Sequence, residues 1–336
     1  MRRPTTALAI ILIVVVAVAL LLRSNRTEEA TGSNPPTTEP STSTEVETTS
    51  TVVAVSSTVS TTSVTLPAGI AACDVYTDIA VTGSVQSTDL VEASGLAASR
   101  TTPNVLWSHN DSRGGAVLYA FTRDGTDLGD YKVPNAFALD WEDMAAGPAD
   151  DGTGSYLYVG DIGDNFGIRD GVVAVFRVPD VDPNQLDDTF PESLPIVLRM
   201  PEGPYDAEAL FVDPVEPALY IVTKSRSEAF VFKGSMTPAS EPQDMELVGT
   251  LFLDAEVTGA DISWDGGVIA LRGYQTVWMW ARSQGQSVAD AMSEVPCTAP
   301  SPDEHQGESI TFDSNLSYYT ISEGSNPDIN HIRADL

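Results

Sequence analysis

Asp206-Ala207-Glu208-Ala209-Leu210 sets acidic residues among small ones at the opening of an apolar strand, and the same pattern returns along the chain. It is found again as Glu92-Ala93-Ser94-Gly95-Leu96, Glu142-Asp143-Met144-Ala145, Gly259-Ala260-Asp261-Ile262-Ser263 and Gly307-Glu308-Ser309-Ile310. Aligned on Glu92, Glu142, Glu208, Asp261 and Glu308, the starts lie 50, 66, 53 and 47 residues apart. Self-similarity at such a period marks a repeat architecture, in which each unit buries its apolar face only against its neighbours.

Each start leads into the same succession of short apolar runs. Val105–Ser108 and Ala116–Phe121 follow the first, Tyr156–Gly160 and Val172–Val178 the second, and Leu219–Thr223 and Ala229–Phe232 the third. Val268–Leu271 and Thr276–Trp280 follow the fourth, and Tyr318–Ser322 the fifth. Fourth strands are expected at Asp130–Val133, Pro195–Met200 and Leu247–Leu253, with a weaker candidate around Ala291–Val295. Asp124-Gly125, Asp151-Gly152 and Asp265-Gly266 supply turns, and no stretch sustains a helical period over ten residues. Four short strands per unit predict an all-β fold, a β-propeller of five blades. A sixth, degenerate blade inside the 66-residue interval is the alternative; the polar stretch from Asp180 to Pro191 reads better as a long loop. The last unit is too short for an outer strand, so the segment Tyr76–Val85 is expected to complete it and close the ring.

The chain has 336 residues, 17 basic and 48 acidic, and a formal charge of −31. Nucleic acid and anionic lipid are poor partners for such a surface, because phosphate contacts need clustered Lys and Arg. Two cysteines and three histidines exclude a zinc finger, an iron–sulfur protein or a site made chiefly of His and Cys ligands. Residues 7–22 are sixteen consecutive apolar positions between Arg2, Arg3 and Arg23, Arg26, about 24–27 Å of helix. With no good small-x-small exit, residues 1–26 read as a basic segment and transmembrane anchor; a cleaved signal peptide is the alternative. Residues 27–70, nearly half Ser and Thr, read as a disordered stalk. The propeller then occupies 71–336 and is expected to stand outside a cell membrane crossed once. In such a compartment Cys73 and Cys297 are expected to pair as a disulfide locking the closure, two reduced buried thiols being the alternative.

Trp141-Glu142-Asp143-Met144 and Gly160-Asp161-Ile162-Gly163-Asp164-Asn165 are distinctive. In these motifs the region 72–336 resembles actinobacterial exported or membrane-anchored propeller proteins of unassigned function. More distantly it resembles extracellular propellers that include calcium-dependent lactonases, phosphatases and the domain named for esterase-like activity of phytase. The resemblance implies architecture only. It departs from the calcium lactonases in lacking recognisable axial Asn ligands and a His paired with a carboxylate at the axis.

In a propeller the innermost strands start at one mouth of the central channel, and the loops joining second to third strands open on the same face. The five starting acids are therefore expected to ring that mouth. The loops would add His109, Asn110 and Asp111; Asp161, Asp164, Asn165 and Arg169; Lys224 and Arg226; Arg272 and Tyr274; and Glu323, with Trp141 and Asp143 beside the second start. Carboxylates converging there repel one another, so protons, bases or a cation must neutralise them. Three readings stand together. The acids cap backbone N–H groups of the neighbouring blade; or Glu92, Glu142, Glu208, Asp261 and Glu308 hold a hard cation, calcium; or a pair of them is catalytic. His109 is the one histidine placed to act as a base, and Trp141 the best tryptophan for a ligand platform. The function expected is a membrane-tethered binding or scaffold domain for a cell-envelope component, a polar small molecule or a glycan. The competing function is a calcium-dependent hydrolase of a glycan, phosphoester or ester.

Overall fold

The computed structural model describes residues 65–111 and 114–336. The expected anchor and most of the expected stalk lie outside the described residues. Among the described residues, twenty-one strands form five sheets. The first blade consists of β2 (Ala93–Ala98), β3 (Val105–Asn110), β4 (Val117–Thr122) and β5 (Asp127–Lys132). The second consists of β6 (Trp141–Gly147), β7 (Tyr156–Asp161), β8 (Val172–Pro179) and β9 (Leu194–Arg199), to which β13 (Ala239–Asp244) adds in parallel as a fifth strand. In the third, β10 (Ala207–Asp213), β11 (Ala218–Thr223) and β12 (Ala229–Gly234) are followed by β14 (Glu246–Leu251). The fourth is built from β15 (Gly259–Ile262), β16 (Val268–Gly273), β17 (Thr276–Ala281) and β18 (Cys297–Ala299). The fifth pairs β19 (Thr311–Phe312), β20 (Tyr318–Thr320) and β21 (Asp328–Ala334) with the N-terminal β1 (Tyr76–Ser84). The innermost strands touch in the cyclic order β2, β6, β10, β15, β19 and back to β2, which closes a five-bladed propeller.

Both faces of a blade are covered, so its middle strands are apolar on both sides of the pleat. Along β3, Val105 and Trp107 enter the cluster shared with the second blade, while Leu106 enters the one shared with the fifth. Five apolar clusters result, one between each adjacent pair of blades. The strand β1 pairs antiparallel with β21 from Tyr76 opposite Ala334 to Ser84 opposite Asp328, as ring closure requires. Cys73, in the short turn before β1, is bonded to Cys297 of β18 across 224 residues. The bridge thus ties the closing strand to the fourth blade, next door to the sheet it completes.

One strand expectation is corrected. The weak strand at Ala291–Val295 is replaced by helix α1 (Val288–Met292), whose Val288, Ala291 and Met292 are buried together and whose first turn is capped by Ser287 Oγ accepting from Asp290 N at 3.0 Å. The fourth strand of that blade is β18. The segment from Asp180 to Pro191 is the expected long loop, with a single turn at Pro183–Gln185 and no strand. It runs along β5, with Lys132 N donating to Asp188 O and Phe190 N to Lys132 O, and buries Phe190 against Trp107 at 5.3 Å. The Asp180 carboxylate accepts from Ser99 Oγ and the amides of Arg100 and Thr101, so this long loop fastens the second blade to the first.

Candidate functional site at the channel mouth

The first paired residues of the five inner strands define equivalent positions. Ala93 lies opposite Asn110, Trp141 opposite Asp161, Ala207 opposite Thr223, Gly259 opposite Arg272 and Gly307 opposite Ser322. The residues one step further in are therefore Ser94, Glu142, Glu208, Ala260 and Glu308. A register shift follows this position in the first, second and third blades, and β15 runs without one. Three of the five starting acids are equivalent. Glu92 stands two residues earlier, nearer the rim, and Asp261 one residue later, on the other side of the pleat.

Asp261 is buried inside the channel wall, where its carboxylate accepts from Phe312 N at 2.7 Å, Ile262 N at 2.8 Å and Thr311 Oγ1 at 3.1 Å. Burial lifts its carboxyl to about 6 against those donors. It staples the fourth blade to the fifth. Asp143 does the same on a larger scale: Oδ1 accepts from Met144 N, and Oδ2 from Leu210 N at 2.8 Å and Ala260 N at 2.9 Å, so one fully buried carboxylate joins three blades. Burial pushes it well above the usual carboxylate range, with the three N–H groups pulling the other way. For these two acids the capping role is the one observed.

The mouth itself gathers Glu142, Glu208 and Glu308 with Glu92, Asp111, Asp140, Asp206 and Glu323, each of which enters the electrostatic field of another member. Glu208 is ion-paired with Lys224, whose ammonium also lies 5.6 Å from the centre of the Tyr274 ring. Burial nevertheless pushes Glu208 up to about 7. Glu308 is lifted to about 9, first by burial and then by the charge of Glu323, with which it shares a hydrogen bond; Gln306 Nε2 donates to its Oε1 at 3.0 Å. Burial also raises Asp111, to about 6, and raises Glu142 well above its ordinary range, with Glu208 and Asp111 adding to the effect on Glu142.

The remaining expected residues take other stations. Asp161 is fully buried and ion-paired with Arg169, and its Oδ1 also accepts from Asp140 N. Asp164 caps its own loop by accepting from the amides of Ile168 and Arg169. Asp161 Oδ1 and both Asp164 oxygens are thus taken by N–H donors, Asp161 Oδ2 is buried without one, and the loop brings Asn165, through both its amide and its side chain, onto Asp140. Asn110 caps the strand entry by accepting from Val91 N and Glu92 N. His109 is wholly buried, edge-on to Trp141 with ring centroids 5.5 Å apart, and burial lowers its imidazole to about 4. Trp141 is buried too, its indole N–H donating to Phe137 O at 2.9 Å, which puts both rings in the core between the first two blades. Arg226 is exposed at the rim and bonded to Glu256 at 3.0 Å. Arg272 is buried in the wall beneath the mouth, ion-paired with Glu304.

Asp140 and Asp206 are the mouth residues that the repeat alignment passed over. A signal was present: Asp140-Trp141-Glu142 and Asp206-Ala207-Glu208 are two acids at a spacing of two, which puts both on one side of an extended chain, and Gln306-Gly307-Glu308 is the amide counterpart.

No protein-family model matches the chain, and no curated protein does. Among solved structures, a chain from a crystal structure of a nidogen/laminin complex is similar to this one, with 69% of this chain and 73% of that one covered at 10% identity and a TM-score of 0.42. The strand order and ring closure described above, rather than this likeness, define the fold.

Proposed function

We propose that this protein is a membrane-tethered, extracytoplasmic binding domain that captures a polar ligand of the cell envelope, a glycan or a small molecule, at the acidic channel mouth. The observation that carries this reading is the gathering of eight carboxylate side chains around one opening, where Lys224 meets Glu208 and Tyr274. Inner-strand starts on a closed ring hold these groups in place, so the opening is pre-organised rather than assembled on contact. Away from the mouth, where β2 ends, the carboxylate of Asp180 is taken up by structural bonds from Ser99 and Arg100. The apolar run 7–22 and the Ser/Thr-rich segment after it support the tether.

The test is an array of glycans and polar small molecules probed with the full chain in detergent. Binding that is lost in Lys224→Met and kept in Arg177→Ala, on a second-blade strand pair away from the mouth, supports the reading. Binding by neither protein, or equal binding by Lys224→Met, refutes it. A hydrolase of a glycan, phosphoester or ester is the second reading. Its support is Glu308, a carboxyl held protonated at neutral pH beside Glu323, as a general acid requires. Turnover of a chromogenic substrate lost in Glu308→Gln would favour it over simple binding.

A further inference from the structure

The acids of the mouth are not neutralised alike. Glu208 has Lys224, Asp161 has Arg169, and Glu308 has Gln306 and a shared hydrogen bond with Glu323. Among the described residues one group has no ion-paired base, Arg169 and Lys224 reaching Asp140 and Asp111 only through their longer-range field. Asp111, Asp140 and Glu142 each bring a carboxylate oxygen within 4.8 Å of the other two. Within it, Asp111 Oδ1 and Glu142 Oε1 are buried and receive no hydrogen bond, although Glu142 is only 4% exposed. A buried carboxylate oxygen without a donor is costly, and here two of them converge on a third carboxylate.

The backbone is shaped around these oxygens. A Cβ at Gly163 would stand 2.1 Å from Glu142 Oε1 and 2.6 Å from Asp140 Oδ2, so the absence of a side chain is what lets both carboxylates reach the loop. Asp140 is held in place by the amide and side chain of Asn165. The three donors are all carboxylate oxygens. The nearest imidazole, His109, has Nδ1 on Asn110 O and Nε2 packed over Gly95. Such a donor set suits a hard cation and disfavours zinc or copper, which select nitrogen and sulfur.

We propose that Asp111, Asp140 and Glu142 bind a divalent cation, calcium, at the second-blade side of the mouth. The proposal rests on the mouth being the binding face, and it names how a polar ligand is held there. Calcium takes six to eight oxygens at 2.3–2.6 Å. Three carboxylates leave coordination positions for water or for hydroxyl, carboxylate or phosphate oxygens of the ligand. The site differs from a ring shared by all five blades: it belongs to the second blade and the first-blade loop that ends β3.

The experiment is calorimetric titration of calcium chloride alone into the full chain in detergent after chelation, with thermal melting in parallel. The expected result is one calcium per chain, a melting temperature that rises with calcium, and at least tenfold weaker binding in Glu142→Gln and Asp140→Asn. Glu308→Gln, a mouth acid outside the trio, should change calcium affinity by less than about threefold. Magnesium at equal concentration should give a smaller melting shift than calcium. No uptake by the wild-type chain, with melting indifferent to chelator, overturns the proposal; so does an equal loss in Glu308→Gln. Glu142→Gln is expected to melt cooperatively without calcium, since it removes a repelling charge, and if it does not fold, the wild-type titration alone decides. Array binding that persists in chelator would remove the cation and leave the binding reading intact, whereas calcium uptake without any array ligand would do the reverse.

Discussion

Asp143→Ala should be among the most damaging single substitutions in this propeller, although the residue touches no ligand. The carboxylate accepts three backbone N–H groups from the second, third and fourth blades. A hydrogen bond to a charged group contributes about 1.5–3 kcal/mol, and a buried donor left unsatisfied costs about 1–3 kcal/mol. Removing the carboxylate also relieves the cost of burying a charge, which offsets part of the loss. A net destabilisation of about 4 kcal/mol is expected, and at roughly 2–4 °C per kcal/mol for a domain of this size the melting temperature should fall by about 8–16 °C. Asp143→Asn separates the terms. Its amide oxygen can keep the Leu210 and Ala260 donors, but its NH2 would face Met144 N–H, so about half of the loss is expected. Urea unfolding followed by tryptophan fluorescence and circular dichroism reads both. A loss below about 1 kcal/mol in Asp143→Ala would refute the idea that this carboxylate holds three blades together.

Reduction, or Cys73→Ser, should lower stability by up to about 5 kcal/mol, because the bridge closes a loop spanning 224 residues in the unfolded chain; urea midpoints with and without reductant check this, and a variant still sensitive to reductant would contradict it. Arg282→Met should cost about 3–5 kcal/mol by stranding buried Asp213, whose Oδ1 lies 2.8 Å from Arg282 Nη1; the double variant with Asp213→Leu should recover much of that loss. Asp261, Glu208 and Glu308 sit at about 6, 7 and 9, above the values near 4 of an unfolded chain. The folded protein therefore holds protons that the unfolded chain releases, and stability should decline as pH rises from about 4 to 9. Glu308→Gln cannot ionise, so it should flatten that decline and be more stable than wild type at pH 9; an unchanged slope in urea titrations across this range would refute the assignment.

The fold was legible because each blade repeats one acid-led strand start and because middle strands buried on both faces read as unbroken apolar runs. What the pattern hid has physical causes. Ala239–Asp244 contains Pro242, Glu241 and Asp244 and pairs with the edge of the second blade through its backbone, so no apolar alternation announces β13. In Ser287–Met292 the buried Val288, Ala291 and Met292 follow helical spacing, but five residues are too few to outweigh the expectation of a fourth strand. Asp261 was aligned with the other starts by its chemistry. The register shift that follows the equivalent position in neighbouring blades is absent from β15, and that single residue moves its carboxylate from the mouth to the wall.

Among equivalent positions of a repeat, the departures from equivalence locate function better than the shared features do. The paired acids at a spacing of two are shared by the second and third blades, and the fifth carries the pair as Gln306 and Glu308. In the third blade Lys224 neutralises the inner member, and in the fifth an amide and the hydrogen bond with Glu323 do so. Both solutions are complete within the protein. At the second blade the same geometry ends in Glu142 Oε1 without a donor, beside the first blade's Asp111 Oδ1, also without one, and next to a glycine that keeps the approach clear. A ring that needed only to hold itself together could have used a lysine at the position equivalent to 224, which is Ile162 here and faces the core. The carboxylate oxygens without donors are therefore a feature of the seam between the first two blades rather than a by-product of the repeat, and that seam is where a ligand that breaks the five-fold pattern has to sit.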